Sequence, residues 1–343
     1  MRIAVVTGPG AVELREEPAP VVGSEEILVE VGACGLCTME RRLFAGEKKI
    51  YPVAPGHEAA GRVVEIGEAV RSLSGAPVVG DIVTVDLLTR CGVCVQCRRG
   101  RSALCRQPQG GALSDGTVSM GAALSEFVRV HASRAFRTGT APIEHAAMGE
   151  PLACVVHSVR LSGMLAGDRV AIIGAGYMGR LHHALCRSRG AGSVGFVEIS
   201  SDRLKEAGDA GADWGAIPQD ALEAVGKQDV VFITAGVPGS FELALHLCDD
   251  AGTVVLYGAF PKELTAEINL DLVHHHEISI VGVYSQEPED WATAGGLLQS
   301  GALGLDLERL VTARYRLDDV GKAFKLAATS PVYRVLVGDM VGA

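Results

Sequence analysis

No stretch of about 18 apolar residues runs free of charged or helix-breaking residues, so no transmembrane helix is expected. Positive charge is also scarce: 31 Lys and Arg stand against 41 Asp and Glu, a formal net charge of −10. That balance argues against a nucleic-acid partner, which would want a basic face, and gives no attraction to an anionic membrane surface. The opening segment Met1–Gly10 holds too short an apolar run for a signal peptide, so none is expected. Internal repeats and low-complexity segments are missing as well. What remains is a chain of 343 residues, which suggests about two domains. A hydrophobic fraction of 48% is enough for two cores, and 43 glycines suit the many tight turns of an α/β architecture.

Nine cysteines are present, and four of them, Cys91, Cys94, Cys97 and Cys105, fall in one short loop as two C-x2-C steps and a C-x7-C step. A tetrahedral zinc ion takes four thiolates at about 2.3 Å, and a compact loop can wrap it. Four soft ligands with no vacancy make a closed, structural site. Metal-ligand cysteines in a chain without a signal segment fit a reducing cytoplasm. Arg98, Arg99 and Arg101 in the same loop read as a solvated face.

Along the chain, short runs such as Arg2–Thr7, Glu26–Val31, Ala60–Ile66 and Ile82–Val85, bounded by Gly, Pro and Asp, read as strands. After about Gly149 the pattern alternates. Strands are expected at Arg169–Ile173, Ser193–Ile199, Asp229–Thr234, Thr253–Tyr257 and Ile278–Val283. Helices are expected through about Arg189, near Asp202–Ala210 and near Ser240–Cys248. Such alternation indicates a parallel sheet of βαβ units. From about Ser285 the pattern is mixed, with helices near Trp291–Ser300 and Leu317–Ala328 and a closing strand Tyr333–Val337. The expected organisation is a doubly wound α/β domain over 152–284, inserted into a β-rich domain made of 1–151 and 285–343, with the cysteine lobe at about 90–106.

The strand Val170–Ile173 runs into Gly174-Ala-Gly176-Tyr177-Met178-Gly179 and then a helix. Gly174 permits the turn, Gly176 lets backbone approach a pyrophosphate, and Gly179 allows close helix–strand packing. Phosphates would sit on the helix N-terminus. The five residues Gly174, Gly176, Tyr177, Met178 and Gly179 are therefore expected to bind a dinucleotide. Glu198, about 20 residues on, can accept hydrogen bonds from the ribose hydroxyls and would repel a 2′-phosphate, which favours NAD over NADP. Arg203 lies close by, joins the expected cofactor contacts and weakens that preference.

A second ligand set is scattered over three segments: Cys37 in Gly35–Glu40, His57 and Glu58 in Gly56–Gly61, and Glu150 in Gly149–Cys154 near the expected domain boundary. One Cys, one His and one carboxylate form the mixed set that catalytic zinc uses, with a position open to water or substrate. Taken singly each signal is soft: a lone Cys is usually buried and inert, and Glu150-Pro151 could simply open a helix.

Together these motifs resemble, in order and over nearly the whole length, the zinc-dependent medium-chain dehydrogenases of the alcohol and polyol type. The Gly149-Glu150-Pro151-Leu152 segment is most similar to the sorbitol and threonine dehydrogenase-like members. The resemblance implies a Rossmann domain plus a β-rich GroES-like catalytic domain, two zinc ions per subunit, and NAD as cofactor. It places Cys37 and His57 on the catalytic zinc, with Glu58 or Glu150 as the remaining carboxylate, either directly or through water. The near decoy is Cys34. Arg334 would reach the cofactor pyrophosphate; its alternative is a solvated strand-end charge. A homo-oligomer is also implied, a tetramer ahead of a dimer, and the apolar run Ile278–Val283 would be a risky free edge.

Two departures from the family pattern concern proton transfer. Met39 stands where a Ser or Thr hydroxyl would relay the substrate proton, and Arg42 stands where a His would continue the relay; neither can do so. Elsewhere, His274, His275 and His276 precede a strand far from the ligand motifs, and Cys154, Cys186 and Cys248 read as packing thiols. The expected function is an NAD-dependent zinc oxidoreductase of a secondary alcohol: a polyol, cyclitol, sugar or amino alcohol. The alternatives are a zinc- and NAD-binding sensor or scaffold without turnover, or a redox-neutral epimerase that recycles bound NAD.

Overall fold

Short β-branched runs become strands through the first 140 residues, and from Arg169 strands alternate with helices. The structure, a computed structural model, describes residues 1–107, 111–304 and 306–340. It divides into two units, one of Met1–Ala153, Gln286–Gly301 and Leu307–Ala343, the other of Cys154–Ser285 and Ala302–Asp306.

The first unit is built on a sheet whose strands lie in the order Ala135–Arg137, Ile82–Val85, Glu58–Ile66, Glu26–Gly35, Arg334–Val337 and Val311–Tyr315, with Phe127–His131 also pairing with Glu26–Gly35. The strand expected at Glu26–Val31 continues to Gly35. Ala33 and Cys34 are fully buried, and the extension pairs on both sides: Gly35 faces Glu58 on one neighbour and Leu336 on the other. A second sheet, with Ala11–Glu16, Arg2–Gly8, Val53–Ala54, Val118–Ser119 and Gly111–Ala112 in order, completes the unit. The two short central strands carry too few residues to show as a period-two pattern in sequence.

Ile27, Val29, Val63, Val83, Val85 and Val335 point into one core. Helix Val320–Thr329 closes it with Val320, Ala323, Phe324 and Ala327, spaced as one helical stripe. The helix expected from Leu317 begins with a tight turn, Leu317–Asp319. At the other flank, Trp291 is fully buried on helix Pro288–Ser300 and stacks on Phe136 at 5.6 Å between ring centres. That helix starts three residues before the expected one because Pro288 is its first residue, where a missing N–H costs nothing.

The second unit holds a six-stranded parallel sheet in the order Gly215–Ala216, Ser193–Val197, Arg169–Ile173, Gln228–Ile233, Cys248–Leu256 and Ser279–Gly282. In chain order this is 3-2-1-4-5-6, the doubly wound arrangement whose order reverses beside the first strand. Its strands are nearly continuous apolar runs, as a sheet covered on both faces requires; Ala171, Ile173, Val197, Val231, Ile233 and Val254 are buried in one cluster. Strand Ser193–Val197 stops before Ile199, which leaves Glu198 as the first residue past its end. Cys248 caps the end of helix Ser240–Leu247, as expected, and also opens strand Cys248–Leu256; it and Cys186 are buried, while Cys154 is half-buried on helix Gly149–Ser162. The edge strand Ser279–Gly282 is largely exposed. His274 and His275 end a short helix, His275 pairs with Asp271 at 2.9 Å, and His276 pairs with Asp250 at 2.6 Å. None of the three joins a metal-competent group among the described residues. No helix among the described residues is long and apolar enough to cross a membrane.

Candidate metal centres and dinucleotide turn

The four-cysteine lobe folds round a single point. Cys94 caps a turn of helix Val95–Arg98, and Cys105 follows the tight turn Ser102–Leu104. The Sγ–Sγ separations are 4.0 Å for Cys91–Cys97, 3.6 Å for Cys94–Cys97 and 3.5 Å for Cys91–Cys105. Four thiolates at about 2.3 Å from one tetrahedral ion stand about 3.8 Å apart, so the lobe has the dimensions of a zinc site. Backbone N–H groups point at the sulfurs: Cys94 N lies 3.3 Å from Cys91 Sγ and Cys91 N 3.4 Å from Cys105 Sγ. Such bonds from Cys97 and Arg106 draw the Cys94 thiol down to about 6, toward the thiolate that a metal needs. Arg98, Arg99 and Arg101 are exposed, as expected of a solvated face.

The second set assembles through sheet register. Cys37 stands two residues beyond the end of strand Glu26–Gly35, His57 stands just before strand Glu58–Ile66, and Gly35 pairs with Glu58. Cys37 Sγ and His57 Nε2 are 3.4 Å apart; a thiolate and an imidazole on one tetrahedral zinc stand about 3.5 Å apart. Two groups share His57: Cys37, Glu40 and His57, and His57, Glu58 and Glu150, each with ligand atoms within 4.8 Å of one another. Glu150 projects from the first turn of helix Gly149–Ser162. That helix can start there because Gly149 has no Cβ, which would lie 2.3 Å from Thr84 Oγ1. On Gly35 a Cβ would lie 2.2 Å from Glu58 Oε2, so bare backbone leaves room for that carboxylate.

Glu40 belongs to this site although no motif marks it. Its Oε1 lies 3.1 Å from His57 Nδ1, its Oε2 accepts from Cys37 N at 3.0 Å, and it is buried. The available signal was its spacing: Cys37 caps helix Thr38–Phe44, and Glu40 is the third residue of that helix, the reciprocal position of a capping box. The bond to Nδ1 leaves Nε2 directed at Cys37 Sγ.

The charge balance calls for a cation. Glu40, Glu58 and Glu150 are buried, with His57 beside Glu40 and Arg334 beside Glu58. Burial, reinforced by Glu40, pushes the Cys37 thiol up to about 12. Burial, opposed by Arg334 and aided by Glu150, raises the Glu58 carboxyl to about 7. Packing so many acidic groups out of water is costly unless positive charge joins them, and a divalent ion among these donors meets that need.

Arg334 is not a solvated strand-end charge. It is buried, with Nε 3.1 Å from Glu58 Oε2 and Nη1 donating to Leu36 O at 2.9 Å. Met39 is half-buried against the core of its unit, and its N–H donates to Cys37 Sγ at 3.1 Å. Arg42 pairs with Glu47 at 3.5 Å, and Thr38 is exposed.

In the second unit the glycine turn is tightly seated. Gly174 has φ +108°, a conformation that side chains resist, and its carbonyl accepts from Thr234 Oγ1 at 3.0 Å. A Cβ on Gly179 would lie 2.0 Å from Gly174 O, so helix Tyr177–Ser188 packs directly on the turn. Above Gly176 a Cβ would meet only Arg203 Nη1, at 4.0 Å, which leaves the helix N-terminus open to an anion. Tyr177 is buried and Met178 half-buried on the first turn. Glu198 ties the turn together: its Oε2 accepts from Ala175 N at 2.9 Å, and its Oε1 accepts from Ile199 N at 2.8 Å and Ser200 N at 3.1 Å. Arg203 Nη1 lies 4.0 Å from Glu198 Oε2. Thr234, the partner of the turn, has no sequence signal because it arrives from the fourth strand of the sheet.

Comparison with known proteins agrees with this layout. Residues 23–142 match the alcohol dehydrogenase GroES-like domain, and residues 178–300 match the zinc-binding dehydrogenase family. The chain is 32% identical over 348 residues to the L-threonine 3-dehydrogenase of Pyrococcus horikoshii, with 96% of each chain covered. It is similar, with a TM-score of 0.86 and 32% identity over 98% of this chain and 99% of the other, to a protein of Sinorhizobium meliloti 1021 assigned as a zinc-binding dehydrogenase and bound to NADP. The galactitol-1-phosphate dehydrogenase of Escherichia coli superposes with a TM-score of 0.85 and 26% identity, covering 99% and 100% of the two chains. With one similar domain architecture from end to end, and a relative this alike over almost its whole length, the chain belongs to the zinc-dependent medium-chain dehydrogenases.

Proposed function

We propose that the protein is an NAD-dependent zinc dehydrogenase acting on a secondary alcohol that carries a second polar group, such as a polyol, cyclitol, sugar or amino alcohol. The observation that carries this reading is the mixed donor set: Cys37 and His57 at 3.4 Å, with Glu58 and Glu150 clustered at the same histidine. A metal that served only as a brace would need no more than the closed four-thiolate lobe, whereas a Cys, His and carboxylate set leaves room for a substrate oxygen. Membership of an enzyme family leaves no support for the scaffold alternative, and net NADH production with a polyol would set aside the redox-neutral epimerase.

Zinc held in the mixed set would supply Lewis acidity toward the substrate oxygen, and NAD would supply the hydride acceptor. Cys37 and His57 hold the ion. Glu40 keeps the Nδ1 proton of His57 engaged, so that Nε2 stays a ligand nitrogen. Glu58 or Glu150 completes the set, directly or through a water. A second zinc occupies Cys91, Cys94, Cys97 and Cys105. With Met39 at the relay position, the alcohol proton would leave through Glu58, Thr38, a water at the site or a second substrate hydroxyl. The Gly174–Gly179 turn, Tyr177 and Met178 bind the dinucleotide, and Arg334 serves its pyrophosphate. Glu198 receives the adenosine ribose hydroxyls and disfavours a 2′-phosphate, with Arg203 as the opposing charge. Cysteines clustered as metal ligands fit a reducing cytoplasm.

Metal analysis should find two zinc ions per subunit. His57→Ala should abolish turnover and keep the lobe's ion, whereas Cys94→Ser should lower the melting temperature, because a closed zinc site contributes folding free energy. One ion per subunit in carefully prepared wild-type protein is the result that would sink the two-site reading.

Titration should show NAD bound more tightly than NADP by at least about tenfold, roughly 1.4 kcal/mol. Glu198→Ala should narrow the gap; equal affinities in the wild type would mean that Arg203 prevails.

The exposed edge strand Ser279–Gly282, with Ile280, Leu270 and Tyr284 exposed around it, suits pairing across a two-fold axis. Light scattering at micromolar concentration should report a homo-oligomer, a tetramer ahead of a dimer. A monomer mass would refute it.

Vicinal diols and amino alcohols should exceed 2-butanol in kcat/KM by at least about tenfold, or roughly 1.4 kcal/mol of transition-state stabilisation. Sorbitol, threonine, inositols and aminocyclitols assayed beside 2-butanol with NAD decide the matter. Equal turnover of 2-butanol and the best polyol would remove the argument from Met39 and Glu150.

A further inference from the structure

Two neighbouring residues, Gln286 and Glu287, bond to Glu150 of the open candidate site and to residues that flank the cysteines of the lobe. Gln286 is fully buried, and its side-chain Nε2 donates to Glu150 Oε1 at 3.2 Å. Its backbone carbonyl accepts from Arg90 Nη2 at 2.8 Å, and Arg90 is the residue immediately before Cys91. Arg90 is itself held by the buried carboxylate of Asp86, Nη1 to Oδ2 at 2.6 Å. Glu287 grips the other end of the lobe. Its carboxylate accepts from Ser102 N at 2.9 Å, from Ser102 Oγ, and from Ala103 N at 2.8 Å, on the turn that leads into Cys105. The Glu287 backbone N–H in turn donates to Asp290 Oδ2 at 2.8 Å, which anchors the pair to helix Pro288–Ser300 and its buried Trp291.

We propose that Gln286 is a positioning residue for the open metal site, and that the Gln286–Glu287 strap fastens the four-cysteine lobe to it, so that an ordered lobe holds the Glu150 carboxylate in place. The inference rests on the reading of Cys37, His57, Glu58 and Glu150 as a metal site. A carboxylate can rotate about its last bonds and turn away from an ion; a buried amide bonded to Oε1 restrains that rotation. Partners of this kind, one shell out from the ion, typically change metal affinity by about 10- to 100-fold. The lobe contributes because its first and last cysteines are each within three residues of a group that the strap binds. A metal-filled lobe is rigid, and the strap passes that rigidity to Glu150 through one peptide unit.

The test is zinc release from the full-length holoenzyme to the chromophoric chelator 4-(2-pyridylazo)resorcinol. The phase missing in His57→Ala identifies the open-site ion, and the remaining phase identifies the lobe. Gln286→Met keeps the volume and the backbone bond to Arg90 but removes the amide. It should speed the open-site phase about tenfold, leave the lobe phase within about twofold, and raise KM more than it lowers kcat, with the melting temperature unchanged. Glu287→Gln, which touches neither Glu150 nor His57, should speed the open-site phase by a smaller factor. The visible absorption band of the cobalt(II)-substituted enzyme should shift in Gln286→Met. Wild-type release rates and an unshifted band in both variants would overturn the proposal while leaving the two-zinc reading intact. A wild-type protein with zinc in the lobe alone would remove the open site and the proposal with it.

Discussion

The arrangement of the first unit depends on the pairing of three strands. Glu26–Gly35 lies between Glu58–Ile66 and Arg334–Val337, with Gly35 opposite Glu58 and Leu336. This register sets the end of one strand, the start of the second and the start of the third at a single place, and it carries Cys37, His57, Glu58 and Arg334 there. A slip of one residue would turn every side chain to the opposite face. It is prevented by the buried Val and Ile residues on these strands, and by Gly61, where a Cβ would lie 2.0 Å from Glu30 O.

What that register gathers is electrically unfavourable without an ion. Three buried carboxylates and a thiol are gathered close to Arg334 and His57. The fold spends part of its stability to hold these groups ready, and Arg334 and the N–H groups around Glu40 partly offset the repulsion. The lobe solves a different problem. Its four thiols are near the surface and close to backbone donors, and a metal there would replace the apolar core that so short a loop cannot build. In the proposed reading one site would serve stability and the other access, and residues 286–287 bond to the surroundings of both.

Some of the chemistry could be read without coordinates because it is local. The C-x2-C steps and the Gly174–Gly179 turn depend on neighbours in the chain, where backbone geometry alone limits what a spacing can do. Glu40 was within reach for the same reason, three residues from Cys37 on one helical turn. Arg334 was harder: a basic residue at the start of a strand can face water or the interior, and the sequence around it does not say which.

By itself, then, the sequence determined the parallel βαβ order of the second unit, the cysteine lobe and the glycine turn, all of which follow from hydrophobic period and spacing over a few tens of residues. Only the tertiary structure decided that Glu40 orients His57, that Arg334 is buried against Glu58, that Thr234 seats the glycine turn, and that Gln286 reaches Glu150 across 136 positions of chain. The physical reason is that hydrogen bonds and ion pairs between distant segments leave no periodicity in the chain. Their partners are chosen by sheet register and by which backbones can approach closely, and those are properties of the packed molecule.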